Sequence, residues 1–443
     1  MAIGSTVTGA AGGGSVENER MVAVVVAVVA VVVEVVAVVA AGVAAVVEDL
    51  EKPWAVWWRG FRGSLGESVF LSIPRSNPTK KDDFCRWVGV DPSETRSSPS
   101  QAGDLLMALL EHPVLVSSSH SFKAIPERKF QFEQAGSEGS TQSKCVYVFQ
   151  REYATVDPKL VDLVGTDEAT TCVGIVIRNR KSGMISVAHM DSPTVVDGGL
   201  TQMLSLVHNH GFDVELDVHL IGGFDDSSPK ASHKTRSKRQ EIWDGYSLPL
   251  CIKIIDALWR SRENFHIQTL CLLGHNTRRD SEGNGYPIFN GFLAETSTGR
   301  ILPASFDRTT RCPEEIVRRI RVSVSYEDPS WDGRLLETYD TRTDQFKIAP
   351  CTWTMCQLHI AMTLQHLSDS EILRTCSTSP SAEAPDFLDN IRRCWDYLTH
   401  RPDWRETFPM KQPRVFKRTA GGWARCTQGS SINHPTRVDY SVN

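Results

Sequence analysis

The sequence has no Cys-x-x-Cys pair, although it carries 11 cysteines in 443 residues. Only Cys351 and Cys356 lie close together, and neither a second pair nor a His-x(3–5)-His segment completes a zinc set. An odd count without paired spacing also argues against a disulfide framework. The thiols therefore read mostly as small buried apolar groups in a reducing compartment, the cytosol or nucleus. A strong charge is lacking as well: 48 basic against 53 acidic residues leave a net charge of -5. That balance points to neither nucleic acid nor an anionic membrane as a partner. Also missing are an internal repeat and the regular strand–helix alternation of a doubly wound fold.

What is present divides into unlike parts. Residues 1–100 read as an irregular, low-complexity extension, in which residues 22–47 are Val, Ala and Gly interrupted only by Glu34. A bilayer needs roughly 20 apolar residues, which this run exceeds. Yet Ala contributes little to insertion, and Glu34 near the centre costs about 2–3 kcal/mol. A signal peptide fits poorly, because the run is too long and no basic segment precedes it. The extension is the preferred reading and a membrane anchor the minor alternative.

Residues 101–426 have the texture of a folded domain, followed by a tail at 427–443. Leu105, Leu106, Leu109 and Leu110 have helical spacing, and 146–149 is a short strand signal. Residues 214–221 alternate apolar and charged side chains, as in a strand with one wet face. A helix follows at 250–259 and a buried strand at 267–273. Residues 292–306 form a hairpin turning at Ser297-Thr298-Gly299, and a second hairpin spans 335–348. Pro313, Glu314 and Glu315 suit a first helical turn. Ser368 and Glu371 make a capping-box pattern, and Phe387, Ile391, Cys394, Trp395 and Leu398 stripe a final helix. Short hairpins mixed with helices predict an α/β (α+β) layered sandwich with a largely antiparallel sheet.

The chemistry concentrates in residues 166–191, TDEATTCVGIVIRNRKSGMISVAHMD. Residues 173–177 and 185–188 are strand-forming and the intervening stretch is polar with Gly183, which makes a β-hairpin. If the turn centres on Lys181-Ser182, opposed residue numbers sum to 363. Cys172 then faces Asp191 and His189 faces Gly174, all four on one side of the hairpin. Diagonal Cβ atoms lie about 7 Å apart, so a His there can bring its ring to the sulfur. A thiol beside an imidazole is what nucleophilic catalysis needs, because the ring takes the thiol proton and stores it for the leaving group. Thr166, Asp167 and Glu168 are candidates for a third group that orients the ring, and the backbone N–H groups of Thr170, Thr171 and Cys172 for an oxyanion hole.

The segments VGTDEATTC (164–172) and SVAHMDS (186–192) resemble the eukaryotic protein N-terminal asparagine amidohydrolases. The similarity continues through ELDVHLIGGFDD (215–226), PASFDR (303–308), YDTRTDQFKIAPCTWT (339–354) and STSPSAEAPDF (377–387), covering roughly 101–426. In that family the Cys of the ATTC motif is the nucleophile. The hairpin is also similar to bacterial chemoreceptor glutamine deamidases and cytotoxic necrotizing factors, which place a His 17 residues after the Cys. The chemoreceptor group adds a Thr six residues before it. Cys172, His189 and Thr166 sit at those offsets.

The resemblance implies deamidation of N-terminal Asn to Asp with release of ammonia and no metal or organic cofactor. Its implied partners are proteins or peptides beginning with Asn, with arginyl-transferase and ubiquitin-ligase machinery downstream. Recognition of a free α-ammonium calls for a carboxylate, for which Glu168, Asp167 and Asp191 are the nearest candidates, Thr171 lies beside them, and Asp225 and Asp226 are more remote. His219 reads as a core or surface residue, and His208 and His210 lack a third ligand for a metal. The alternatives are a deamidase of internal Gln or Asn in a partner protein, a cysteine peptidase or transglutaminase, and an inactive interaction module of the same fold.

Overall fold

A computed structural model of the chain describes residues 69–70, 99–131, 143–208, 214–227, 245–419 and 422–426. The Val/Ala run at 22–47, almost all of the expected extension, His210 and the tail at 427–443 lie outside the described residues. No helix among the described residues is long and apolar enough to cross a membrane.

In chain order, β1 (Val69–Phe70) precedes a leucine-rich helix, α1 (Pro99–Glu111), and α2 (Pro113–Lys123). Five short strands follow: β2 (Arg128–Phe130), β3 (Cys145–Tyr147), β4 (Glu152–Val156), β5 (Leu163–Thr166) and β6 (Val173–Asn179). Then come β7 (Ile185–Met190), α3 (Val196–Val207), β8 (Glu215–Phe224), α4 (Ser247–Arg260) and β9 (Asn264–Leu273). Two hairpins, β10 (Thr277–Arg279) with β11 (Gly285–Pro287) and β12 (Phe292–Glu295) with β13 (Ile301–Phe306), lead to α5 (Glu315–Ser325). A third, β14 (Leu336–Asp340) with β15 (Gln345–Ile348), precedes α6 (Met355–Leu364), α7 (Asp369–Cys376), α8 (Phe387–His400) and α9 (Trp404–Thr407). The last strands are β16 (Arg414–Thr419) and β17 (Gly422–Arg425).

Ten strands form one sheet in the order β1-β9-β8-β6-β7-β4-β14-β15-β16-β17, and five form a second, β2-β13-β12-β5-β3. Only β8–β9, β4–β14, β3–β5 and β2–β13 run parallel, so this mixed α/β fold is mainly antiparallel among the described residues.

The period of two along β6 decides the layers. Ile175 and Ile177 pack with Leu106 and Leu109 of α1, Met203 of α3 and Ile254 of α4 on one face of the large sheet. Val176 points the other way, with Val187 and Ile221, into an apolar core shared with Val164, Phe292 and Ile301 of the small sheet. Helices α5 and α8 close that second core through Val317, Ile320, Trp395 and Leu398.

Two details differ from the sequence pattern. Along β8 only Glu215 and Asp217 are not buried, and from Val218 onward both faces are covered, because the strand sits between two layers. Helix α5 begins at Glu315, two residues after Pro313, because Glu314 takes a left-handed backbone (φ +51°) incompatible with the helix. The capping-box helix is present, with the Ser368 amide donating to Glu371 Oε2 at 2.9 Å.

A buried ion cluster ties α5 to β4. Glu152 accepts from Arg318 Nη2 at 2.6 Å, from Arg321 Nη2 at 2.5 Å and from the Phe149 amide at 3.0 Å, and all three charged side chains are fully buried. Burial pushes the Glu152 carboxyl up, but the two guanidiniums outweigh it and hold it below the usual range.

The two sheets meet where β6 has no side chain. A Cβ on Gly174 would lie 2.3 Å from Cε1 of the buried Phe292 ring. Gly174→Val is expected to destabilise the protein by about 2 kcal/mol or more through overpacking, with Gly174→Ala milder. Urea unfolding midpoints read the effect, and an unshifted midpoint for Gly174→Val would contradict the close approach.

Candidate active site

The β6–β7 hairpin is set by its turn. Asn179 Oδ1 accepts from the Lys181 and Ser182 amides at 2.9 and 3.0 Å, and Gly183 takes φ +76°. This Asx turn closes a ladder that runs from Arg178↔Ile185 to Gly174↔His189 and Val173↔Met190. Opposed numbers sum to 363, as the turn chemistry predicts. Cys172 and Asp191 come one step beyond the last paired residues, at the open end of the hairpin.

His189 is buried against the small sheet, where its Nδ1 lies 2.8 Å from Oγ1 of Thr166 at the end of β5. The Thr166 hydroxyl also reaches the Asp167 carbonyl at 3.5 Å. A chain with Nδ1–H donating to Thr166 and Thr166 donating to that carbonyl leaves Nε2 as the basic nitrogen. Nε2 is buried and makes no hydrogen bond. Burial depresses the imidazole to about 4, against a weaker upward pull from Glu168 and Glu152, so the ring is neutral at pH 7.

Cys172 is 9 % exposed. Its carbonyl accepts from the Gly223 amide at 2.7 Å, and a Cβ on Gly222 (φ +122°) would come within 2.5 Å of that oxygen. The Gly222-Gly223 bend of β8 therefore supports the residue from below. Burial first, then Asp191 and Glu383, push the thiol well above its ordinary value, and a contact with Thr171 pulls only weakly the other way. Thiol and imidazole make no hydrogen bond to each other. The resting pair is a neutral thiol and a neutral ring, not a thiolate–imidazolium pair.

The acidic candidates separate sharply. Asp167 is buried and saturated: Tyr147 donates to Oδ1 at 2.6 Å, and the Phe306 amide and Arg311 donate to Oδ2 at 2.7 and 3.0 Å. Burial and the adjacent Glu168 raise it to about 6 against these donors. Glu168, at φ +62°, takes a two-pronged contact from Arg319 (2.9 Å each) and a third from Arg311 at 2.8 Å. Burial raises it, but the two arginines win and hold it ionised. Asp225 and Asp226 are engaged by Arg279 and by the amides of Tyr246 and Ser247.

Asp191 is different. Its side chain is 1 % exposed, Tyr326 donates to Oδ2, Arg151 stands 4.0 Å off, and Oδ1 has no hydrogen-bond partner. Thr171 pairs its hydroxyl with Thr378 at 2.9 Å. The Thr170 amide donates to the Glu168 carbonyl at 3.1 Å, which leaves Thr171 and Cys172 as oxyanion candidates. His219 is buried and bonded to Thr269 at 3.0 Å, a core role, and His208 pairs with Glu263 at 2.9 Å. No group of His, Cys, Asp and Glu suited to a metal occurs among the described residues.

Arg311, Arg319, Tyr326 and Glu383 lie outside the sequence reading. No local periodicity or spacing marks them, since each reaches the hairpin from more than a hundred residues away. STSPSAEAPDF (377–387), which contains Glu383, carries similarity but no pattern of its own that names a role.

A family model described as protein N-terminal asparagine amidohydrolase matches residues 135–425. A protein N-terminal asparagine amidohydrolase of Arabidopsis thaliana is 58% identical over 342 residues, covering 77% of this chain and 98% of that protein. Those of Sus scrofa and Homo sapiens are 31% and 30% identical, each over 75% of this chain and 95% and 96% of their own lengths.

The depressed histidine links the site to stability. In the unfolded chain an imidazole takes its proton near pH 6.5, in the folded chain His189 only near 4. Between these values the unfolded state binds more protons. The contribution is therefore complete above pH 6.5 and is lost as pH falls toward 4, by about 3 kcal/mol in total. His189→Gln is expected to flatten the decline in urea-unfolding stability between about pH 7.5 and 5.5 by about 1 kcal/mol. An unchanged slope would show that the ring is not held neutral.

Proposed function

Because the chain belongs to the protein N-terminal asparagine amidohydrolase family, we propose that it hydrolyses the side-chain amide of an N-terminal Asn through Cys172, with His189 as the base. The reaction is hydrolysis of an amide C–N bond, giving N-terminal Asp and ammonia. The observation that carries the residue assignment is the bond between Thr166 and His189 Nδ1. It leaves Nε2 free on the same side of the hairpin as Cys172.

The steps balance without a cofactor. As the sulfur attacks the amide carbon, His189 Nε2 takes the thiol proton, and the electron pair of the C=O bond moves to oxygen. The Thr171 and Cys172 amides are the donors for that oxyanion. Collapse re-forms the carbonyl and breaks the C–N bond, and the proton on His189 leaves with the amine as ammonia. Water, deprotonated by the same nitrogen, then attacks the thioester. The C–S bond breaks, the thiol recovers its proton, and the product is the Asp carboxyl. Thr166 acts as a positioning residue that keeps the proton on Nδ1.

Of the substrate-binding candidates, Asp191 is the one with an uncompensated oxygen, while Asp167 and Glu168 are occupied by arginines. We infer that those two acids brace the loop that presents Cys172, and that Thr171 anchors it to Thr378. The thiol must stay reduced to act, which supports a cytosolic or nuclear place of work. The Asp product suits arginylation and ubiquitin-dependent degradation downstream, with an arginyl-transferase and a ubiquitin ligase as the machinery that follows.

Peptides differing only in a free or acetylated N-terminal Asn test the reaction, read by ammonia release and a mass gain of about 1 Da. The free peptide is expected to react; equal conversion of the acetylated one would favour a deamidase of internal residues. Cys172→Ala is expected to abolish ammonia release, and persistence of activity would remove it as nucleophile. Thr166→Val is expected to lower kcat by roughly 10–100-fold with KM little changed. A change confined to KM would assign Thr166 to binding instead.

A further inference from the structure

The bend that leads into the nucleophile is tied down on both sides of two amides. The Ala169 amide donates to the Asn290 carbonyl at 2.8 Å, the Thr170 amide to the Glu168 carbonyl at 3.1 Å, and the Gly223 amide to the Cys172 carbonyl at 2.7 Å. Between these ties, the amides of Thr171 and Cys172 donate to no acceptor among the described residues, although both residues are buried. A buried amide without an acceptor is rare in a folded protein. Two in succession call for an acceptor that arrives with the substrate, and they are the donors assigned above to the oxyanion.

The hairpin does not fix the direction of those amides. Residues 377–386, between α7 and α8, meet the bend side chain to side chain. Ser379 Oγ donates to Thr170 Oγ1 at 2.9 Å, and Thr378 Oγ1 pairs with Thr171 Oγ1 at 2.9 Å. No backbone hydrogen bond joins the two segments among the described residues, so the lacing is by hydroxyls alone. The peptide plane between Thr170 and Thr171 carries the Thr171 amide, and the next plane carries the Cys172 amide. Pinning the side chains of residues 170 and 171 therefore restricts the rotation of both planes.

The lacing segment is itself held. The Ser377 amide donates to the Leu373 carbonyl at 3.1 Å, the Ser379 amide to Ser377 Oγ at 2.9 Å, and the Ala382 amide to the Ser379 carbonyl at 2.8 Å. Arg311 fastens the outer ends together, with Nη1 2.7 Å from Asp386 Oδ2 and 2.8 Å from Glu168 Oε1. We propose that Thr378 and Ser379 are positioning residues for the reaction, their hydroxyls holding the Thr171 and Cys172 amides in the direction that the developing oxyanion requires. That role rests on the reading of Cys172 as nucleophile and of the two amides as oxyanion donors. A donor already aimed needs no reorganisation as charge develops, and losing one outright costs about 100–1,000-fold in kcat. A donor that is kept but loosened costs less.

Thr378→Val removes a hydroxyl at nearly constant shape from an exposed position, and Thr378→Ser keeps it. With the free Asn peptide and the full chain, Thr378→Val and Ser379→Ala are each expected to lower kcat about tenfold with KM little changed. Thr378→Ser is expected to stay near the unmodified chain. A kcat that does not fall, or a loss confined to KM, overturns the assignment. Alkylation of Cys172 by iodoacetamide, read at its own tryptic peptide, separates the amides from the thiol. There the sulfur displaces iodide from a saturated carbon and no oxyanion forms, so all four proteins are expected to react at the same rate. An alkylation rate that falls in step with kcat shows that the loop places the thiol instead, and likewise overturns the assignment. If the unmodified chain releases no ammonia from the free peptide, the underlying deamidation reading fails instead.

Discussion

The close approach of two sheets at Gly174 is the constraint on which the site depends. The ring of Phe292 occupies the space a side chain would fill, and β12, which carries that ring, is paired with β5, which carries Thr166. Only at this separation does a hydroxyl from the small sheet meet an imidazole on the large one at 2.8 Å. A bulkier residue at 174 would part the layers and separate the imidazole from the Thr166 hydroxyl, and both apolar cores would loosen together. The second core, with Phe292 and Ile301 on one side and Val176 and Ile221 on the other, keeps the approach rigid.

Burial at this junction sets the electrostatics. It lowers His189 and raises Cys172, so neither is charged at rest, and the proton moves only as the reaction proceeds in the proposed mechanism. The surrounding acids are not equivalent. Asp167 and Glu168, a few residues before the thiol, are paired with Arg311 and Arg319, while Asp191 retains an unmatched oxygen. The distinction is one of arginine supply. Helix α5 turns Arg319 toward Glu168 and Arg318 and Arg321 toward Glu152, whereas the cation nearest Asp191 is Arg151, at 4.0 Å.

Much of this was legible in the chain because it is local. The turn at Asn179–Gly183 determines the register, and the register determines that Gly174 opposes His189, so the pairing of a thiol and an imidazole on one face needs no tertiary information. The same holds for the β12–β13 turn at Gly299 and for the stripe of α8. Where patterns misled, a neighbouring layer was the cause. The charged positions of β8 suggested a wet face, but Leu216, Val218 and Leu220 pack with the helices and Ile221 with the core shared with the small sheet, so the strand is buried from Val218 on.

The sequence by itself determined the hairpin, its register, the offsets of Thr166, Cys172 and His189, and through its motifs the family to which the chain belongs. Those are short-range quantities, governed by turn chemistry, strand period and residue identity. The tertiary structure alone decided which acids are paired with arginines. Arg311 and Arg319 meet Asp167 and Glu168 from 144 and 151 residues away, and Thr378 and Ser379 meet Thr171 and Thr170 across 207 and 209. A carboxylate's availability depends on the cations packed around it in space, and no spacing along a chain records that.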